Sequence, residues 1–598
     1  MSLKTIIILT QITFSSVLIS CGVDEGNSSS DGNSTIESSS ITGGSVSALN
    51  FLGNKIRNSG FLLGSASSIN SNLAKVELRY DELGDWLEAT ITADESCMSS
   101  CPWKIKLPSA TDDDPWTLGE THKIEVRLLN SDDTVLHTET FDEVTKVGIN
   151  RDINGDGHDD QVIGAAFGAV PTVYIFYGSS TGISASPGTT LTGEAGSQFG
   201  YAAASAGDLN GDGFGDIVVG ANTSTSNSGA AYVYYGSVDG IDDVGSASAD
   251  VSLSITGTPI NSYFGYSVNS AGDLNGDGID ELVVGAMNVE VNGQADGSTY
   301  VYYGSKEGIS NDPSVTLTPR NSNGSANFGA SVNTAGDLNG DGYGDLVIGA
   351  PRQDGMIDGF YTKNTGIVYI YHGSSSGINS IAEMELVGVK NINLGTSVYP
   401  GGDLNGDGYE DLVVGAPAND SHDNTSTYPQ PMVYIYNGSP TGPGSVPDQK
   451  IISYGTEFNN TDVGTDGTSF AGHLSTGDIN GDGYNDIVIS AFREDIGATV
   501  NRGSVYIHFG SSSGVSTTED KNLINPNDVG DHFGSGVSLE KDVNGDGFND
   551  LIIGAWFANG LRGTSYVFYG KSGNIDDDED LEITSPDAGD LTFGTFTF

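Results

Sequence analysis

The chain is poor in positive charge, cysteine, histidine, proline and long apolar runs, and each shortage narrows what it can be. Lysine and arginine number 23 against 79 acidic residues, a formal net charge of −56 over 598 residues. Binding nucleic acid needs a basic face for the phosphates, so DNA and RNA are excluded as partners. The eight histidines are scattered singly, without the HExxH or paired spacing of a zinc hydrolase. Beyond Ile19 no stretch is long and apolar enough to cross a bilayer. Of three cysteines, Cys97 and Cys101 stand four apart with no further ligand nearby, which predicts one small-loop disulfide in an exported protein. Proline numbers 18 against 85 glycines, with 36 % hydrophobic residues, the balance of a turn-rich β protein.

The first hundred and forty residues divide by texture. Lys4 precedes an apolar run from Thr5 to Ile19, too short for a membrane span, which predicts an export signal over residues 1–20. Leu18-Ile19-Ser20-Cys21 resembles the lipobox of bacterial lipoproteins. That resemblance implies cleavage before Cys21 and a lipid on its thiol: an exported protein at the outer membrane or cell surface, touching the membrane only through the lipid. Residues 21–45 are Ser, Gly, Asn and acidic residues without an apolar period, a flexible tether. In 46–141, the stretches Lys75–Tyr80, Trp86–Ile91, Trp103–Leu107 and His122–Leu129 alternate apolar with polar residues, as half-buried strands do. A small β-sandwich is expected, resembling bacterial immunoglobulin-like modules in strand rhythm, with a spacing or presenting role.

From residue 142 to 598 one nine-residue pattern recurs seven times, its leading aspartates 56 to 75 residues apart. Oxygen-bearing side chains stand at positions 1, 3, 5 and 9, and position 7 offers a backbone carbonyl. The sets are Asp152, Asn154, Asp156, His158 and Asp160; Asp208, Asn210, Asp212, Phe214 and Asp216; Asp273, Asn275, Asp277, Ile279 and Glu281; Asp337, Asn339, Asp341, Tyr343 and Asp345; Asp403, Asn405, Asp407, Tyr409 and Asp411; Asp478, Asn480, Asp482, Tyr484 and Asp486; Asp542, Asn544, Asp546, Phe548 and Asp550. An oxygen-only shell suits Ca²⁺, and glycines at positions 4 and 6 permit the tight turn. Up to seven Ca²⁺ ions are expected. The pattern resembles the first nine positions of an EF-hand loop, then departs from it: position 12 is Ile348 rather than Glu in the fourth copy, and the flanks read as strand. A solvated turn, in which Asp and Asn bond their own backbone, is the alternative for any single copy.

Four short strand-like stretches accompany each loop, as in Val251–Ile255, Phe264–Val268, Leu282–Ala286 and Ser298–Tyr303, and seven such units point to a β-propeller. Phe-Gly at Phe199, Phe264, Phe328 and Phe533, the acidic loop, then Gly-Ala-Pro at Gly349 and Gly415 resemble the FG-GAP repeat of integrin α-subunit propellers and their bacterial relatives. The resemblance implies an all-β, seven-bladed ring of FG-GAP repeats with its calcium loops between the first and second strands of their blades. Departures are Ala471 after Phe470, Ser490-Ala-Phe492 and Gly-Ala-Trp556. The first unit carries Val144–Ile149 where the others have Phe-Gly, and the chain ends on a stray half-repeat, Leu591–Phe598, expected to pair near the first blade and close the ring.

Gly373-Ser-Ser-Ser-Gly377 and Gly510-Ser-Ser-Ser-Gly514 match the GxSxG nucleophile pattern, but a Gly-Ser turn stands at the same place in six of the seven units, including Gly236-Ser237 and Gly304-Ser305, without strand-to-helix context. Tyr234-Tyr235 and Tyr302-Tyr303 read as core and interblade packing. The resemblance implies partner contacts on the rim opposite the calcium loops. Candidate anchors there are Arg352, Gln353, Asp354, Phe360, Tyr361 and Lys363; His422, Asp423 and Tyr428; and Arg493, Glu494, Asp495 and Arg502, in which basic and aromatic groups are rare for so acidic a chain. The expected function is surface binding or adhesion to a protein or glycan; a carbohydrate-active or other hydrolase on a propeller scaffold, or a structural envelope protein, are the alternatives.

Overall fold

A computed structural model gives the fold. It describes residues 151–598 apart from 242–248, 256–260, 292, 321–323, 358, 419–429, 454–468, 497–498, 526, 528–529, 574, 588–589, 591–592, 595 and 598, and, before them, ten strands within 44–147. Cys21, Cys97, His422, Asp423 and Tyr428 lie outside the described residues, as does the side chain of Cys101. No helix among the described residues is long and apolar enough to cross a membrane.

The ten leading strands form two sheets, one of four and one of six. In the six-stranded sheet Val76, Leu78, Ile124, Val126 and Leu128 are buried on one face, the consequence of period-two alternation. The other face pairs charges across strands, Arg79 with Glu125 and Arg127 with Glu77, at registered positions.

Seven four-stranded antiparallel sheets follow and make a seven-bladed β-propeller. Blade 2 shows the plan: Phe199–Gly207, Asp216–Ala221, Ala230–Tyr234 and Val251–Leu253 pair in that order. The first strands of neighbouring blades pack on one another, which puts them at the axis. Second strands are buried along their whole length, as in Asp216–Ala221 and Asp345–Ala350, because blades cover both faces. The core is therefore divided among the seams. Each of seven apolar clusters draws on two adjacent blades, such as Phe328, Ile348 and Tyr369 of blade 4 with Leu274, Val283 and Val301 of blade 3.

The Phe-Gly and Gly-Ala pairs have a common physical reason. Each Phe packs against a tyrosine of its own blade's third strand, as Phe264 does on Tyr300 with centroids 5.6 Å apart and Phe328 on Tyr369 at 5.2 Å. The glycine after it, or after Leu394 in blade 5, takes φ near +80°, as at Gly265 and Gly395, and its carbonyl is pressed onto the Gly-Ala glycine of the preceding blade. A Cβ on Gly349 would lie 2.0 Å from the Gly395 oxygen. Blade 6 departs at both positions: Ala471 holds φ 64°, and Ser490 turns its hydroxyl into a 2.5 Å donor to the Gly534 carbonyl.

Ring closure falls to the C-terminal tail. Phe596–Thr597 pairs with Gln161–Ala165 as the innermost strand of blade 1, Phe593 is fully buried between blades 7 and 1, and Asp590 accepts hydrogen bonds from Tyr174 and Ser585, both 2.5 Å. The half-repeat thus supplies the Phe-Gly that the first unit lacks. Val144–Val147, standing there in sequence, belongs instead to the six-stranded sheet, where Val144 pairs with His122.

Candidate metal centres

Six of the seven acidic loops join the first to the second strand of their blade; the Asp152 loop precedes the second strand of blade 1 but follows Val135–Val147 of the six-stranded sheet, because the first strand of that blade comes from the tail. All seven lie on one edge of the ring, hydrogen-bonded loop to loop. Their geometry repeats closely. Position 1 accepts the backbone N–H groups of positions 5 and 6, as Asp208 does from Asp212 and Gly213 at 3.1 and 2.8 Å. Position 3 accepts from position 5, and position 5 from position 7, as Asn210 does from Asp212 and Asp212 from Phe214. Side-chain oxygens thereby converge inside each turn. At position 9, Asp216 accepts the Leu209 N–H with one oxygen at 2.7 Å and the Gly236 N–H with the other at 2.9 Å, tying the loop to the end of the third strand. The same two bonds recur at Asp160, Asp345, Asp411, Asp486 and Asp550.

Glu281 is the exception, and it changes the site. Its longer side chain accepts from Leu274 at 2.5 Å and from the Asn275 amide at 3.0 Å. Among the described residues, Asp273, Asp277 and Glu281 are the one group whose carboxylate oxygens all gather within 4.8 Å.

Electrostatics tests whether these residues suit a cation. The position-9 acids are fully buried, and burial holds Asp160, Asp216, Asp486 and Asp550 well above the usual carboxylate range, with the neighbouring loop aspartates adding to the shift. Burial likewise lifts Asp208 to about 6, Asp152 and Asp542 to about 7, Asp411 to about 8 and Glu281 to about 10. Such crowded acids need either protons or a hard cation, and the donor set is oxygen throughout. The residues fit a divalent ion of the Ca²⁺ kind.

The loops are also wired to each other. The position-1 carbonyl of every loop accepts the position-8 N–H of the next blade's loop: Gly215 to Asp152, Asp280 to Asp208, Gly344 to Asp273, Glu410 to Asp337, Asn485 to Asp403, Asn549 to Asp478 and Asp159 to Asp542, at 2.8–3.4 Å. The last of these closes the circle. Position-7 side chains cover the neighbour's position-4 glycine, as Tyr343 covers Gly276 and Tyr409 covers Gly340.

The remaining sequence candidates fall into place as follows. Ser374 and Ser511 each donate to the carbonyl closing their own turn, Gly377 and Gly514, at 2.6 and 2.7 Å, as Ser237 and Ser305 do elsewhere. The GxSxG matches are this repeated turn. Tyr234 and Tyr302 are buried in the core, while Tyr235 and Tyr303 accept the N–H of Ile309 and Ile378 in the next blade at 3.0 Å. On the opposite rim Phe360 and Tyr361 stand 75 % and 63 % exposed on a two-stranded hairpin, with Arg352 and Lys363 also exposed and Asp354 accepting the Asn364 N–H. Gln353 is turned inward instead, its amide donating to Arg320 O at 2.7 Å and accepting from the Tyr369 hydroxyl at 2.9 Å. In blade 6 Arg502 donates to Asn525 O, Glu494 accepts from Tyr506, Asp495 accepts from Asn501, and the Arg493 guanidinium lies 5.3 Å over the Phe492 ring.

Comparison with known proteins agrees with the repeat geometry. The FG-GAP repeat matches six times, over residues 199–234, 264–302, 328–371, 394–436, 470–508 and 533–568. Blade 1, whose Phe-Gly arrives from the tail, is the blade without a match. The chain is 34 % identical over 230 residues to integrin alpha-5 of Xenopus laevis, covering 37 % of this chain and 20 % of that one. It is 39 % identical over 168 residues to integrin alpha-6 of Gallus gallus (27 % and 14 %) and 35 % identical over 188 residues to integrin alpha-PS2 of Drosophila melanogaster (28 % and 12 %). These matches span at most a fifth of the relatives' length. An auxiliary nutrient binding protein from Bacteroides ovatus ATCC 8483 aligns over 67 % of this chain and 84 % of its own at 12 % identity, with a TM-score of 0.21.

Proposed function

We propose that the chain is a ligand-binding scaffold of the adhesion type, stabilised by calcium in its acidic loops. The observation that carries this reading is the combination of six FG-GAP repeats with clusters of buried carboxylates in the loops along one edge of the ring. Asp, Asn and Asp at positions 1, 3 and 5, the position-7 carbonyl and the position-9 acid would hold each ion. Bound ions would supply the positive charge that these carboxylates lack, and because the loops are hydrogen-bonded into a circle, each filled loop would brace its neighbours. The opposite rim, with Arg352, Phe360, Tyr361, Lys363 and Arg493, is left for a protein or glycan partner.

Residues 1–20 direct export, Cys21 carries the lipid, 21–45 is a tether, and the stretch expected at 46–141, whose last strand runs on to Val147, is an immunoglobulin-like spacer with a Cys97–Cys101 disulfide that lifts the ring off an outer membrane or cell surface.

Calcium titration of the lipid-free protein by calorimetry, with thermal melts in calcium and in chelator, tests the scaffold. An ion that binds only the folded state raises its melting point by mass action. Several ions bound with a large upward shift is the expected result. No heat and no shift would make the loops plain turns and remove the calcium reading.

A further inference from the structure

We infer that the residue at position 8 of each acidic loop is a clamp that couples calcium uptake between adjacent blades, and that glycine at this position divides the ring into two cooperative sets, blades 2 and 3 and blades 4 to 7 with blade 1; this rests on the calcium reading above and adds how its sites act on one another.

Where its side chain can accept a hydrogen bond, position 8 grips the preceding loop twice. Its backbone N–H donates to the position-1 carbonyl, and its side chain takes the position-1 N–H in return. Asp280 donates to Asp208 O at 3.0 Å and accepts the Asp208 N–H at 2.9 Å. Asn549 does the same to Asp478 at 3.0 and 2.8 Å, and Asp159 to Asp542 at 3.1 Å in both directions, across the closure of the ring. Glu410 and Asn485 occupy the same place over Gly336 and Gly402, where an added Cβ would come within 2.7 Å of the Glu410 carboxylate and 1.9 Å of the Asn485 amide. A Cβ on Gly207 would likewise stand 2.1 Å from Asp280. The glycine before position 1 thus makes room for the clamping side chain of the next blade.

Two seams depart from this plan. Gly215 and Gly344 donate their N–H groups to Asp152 and Asp273 but have no side chain to return the bond. At Gly272, in the seam with Gly344, the nearest atom to an added Cβ is the Thr334 hydroxyl at 3.1 Å. The space that Asp280 takes at Gly207 has no position-8 side chain there.

The clamp joins one metal site to the next because of where it stands. Position 8 precedes the position-9 acid of its own loop, and it holds both backbone groups of the leading acid in the loop before. An ion that fixes the position-9 acid fixes position 8, and the two bonds pass that order to the neighbouring leading acid. The second ion then meets a loop already ordered, which is positive coupling. A glycine contributes one bond in place of two, and coupling across its seam is correspondingly weaker.

Between blades 2 and 3 charge adds to the clamp. Asp280 is 1 % exposed, its second oxygen has no hydrogen-bond partner, and the leading acids on either side, Asp208 and Asp273, repel it, with Arg151 offsetting part of the repulsion. An asparagine, as at 485 and 549, would make the same bond without burying a charge. Cations in loops 2 and 3 relieve the repulsion from both sides, so each makes the other's site more favourable.

The test titrates the calcium-free, lipid-free full chain with calcium by calorimetry and compares Asp280→Gly, Asp280→Asn and Gly344→Asn with the unaltered chain. A Cβ at Gly344 lies 3.4 Å from the Asp273 nitrogen, so Asn there supplies the missing acceptor. The unaltered chain should take up calcium in two steps, each steeper than independent binding. Asp280→Gly should keep the number of ions but flatten the smaller step, its second ion binding about fivefold more weakly. Asp280→Asn should recover most of that steepness, and Gly344→Asn should merge the two steps. Melts in chelator are run beside the titrations, because a merely structural position 8 would move the metal-free melting point and leave the steepness unchanged. Independent or single-step uptake by the unaltered chain, unchanged steepness in Asp280→Gly, or two steps persisting in Gly344→Asn would overturn the clamp. Absence of any calcium heat would overturn the calcium reading together with it, whereas the expected ions taken up with the wrong steepness overturn the clamp alone.

Discussion

Replacing Phe593 with alanine tests the clasp of the ring. The ring of Phe593 is fully buried, edge-on to Tyr174 at 5.6 Å and Phe176 at 6.4 Å, among Ile163 of blade 1 and Ile552, Val567 and Ile583 of blade 7. Truncation loses the transfer energy of the phenyl group and leaves a hole that two sheets cannot collapse to fill, about 3–5 kcal/mol. Phe328→Ala is the matched control, since that ring is equally buried and meets Tyr369 edge-on at 5.2 Å. The two should cost similar equilibrium stability by denaturant titration. They should differ in kinetics, because Phe328 is flanked by chain leading into blades on both sides. The tail, by contrast, ends the chain, and among the described residues it is held by Phe593 with its N–H on Arg562 O, the Ser535 bond to Gly594 O, the short Phe596–Thr597 pairing and the Asp590 bonds with their hydroxyl donors. Phe593→Ala should therefore unfold faster than Phe328→Ala and expose the tail to proteolysis under native conditions, seen as early release of a C-terminal tag. A loss below about 1 kcal/mol with a protected tail would show that the clasp does not hold the ring.

Three further outcomes follow from the same geometry. Gly349→Ala forces a Cβ to 2.0 Å from the Gly395 oxygen and should cost about 1–3 kcal/mol, whereas Ala471→Gly relieves a left-handed alanine and should gain about 1 kcal/mol; melting points that move in the opposite order would refute the packing account. In metal-free protein Asp208, Asp542 and Asp411 are raised from 3.8 to about 6, 7 and 8, so the folded state keeps protons that the unfolded state releases. Metal-free stability is then full below about pH 4 and falls as pH rises towards 8. Calcium uptake should release protons in that window, and a metal-free melting point flat from pH 4 to 8 would contradict this. Glu281→Asp should weaken the tightest calcium class about tenfold, since among the described residues this is the loop whose three carboxylates come within 4.8 Å of one another; an unchanged titration would remove Glu281 from the ligands.

What could be read in advance, and what could not, divides along the distance over which the residues act. Strand alternation and the loop pattern are local, and they placed the first-to-second strand turns correctly in six blades, down to the position-9 acids that begin Asp216–Ala221 and its equivalents; blade 1 differs because its first strand is the tail. Leu591–Phe598 was legible as a half-repeat, but its seat as the innermost strand of blade 1 depends on a register with Gln161–Ala165 more than 430 residues away. Gln353 reads as a loop residue in sequence, yet the Tyr369 hydroxyl and the Arg320 carbonyl draw its amide inward. Least legible were the aromatic neighbours that single-blade departures bring together, such as His532 with Trp556 and Phe557 at 5.0 and 5.3 Å. They follow no period, since His532 lies one residue before its Phe, and Trp556 and Phe557 stand where blade 4 has Pro351 and Arg352. Only the ring's rotation, which stacks the same edge of each blade around one axis, turns these scattered substitutions into neighbours. In a repeat protein the shared motif therefore reports the scaffold, and the positions where single blades abandon the motif are where a ligand site has to be sought.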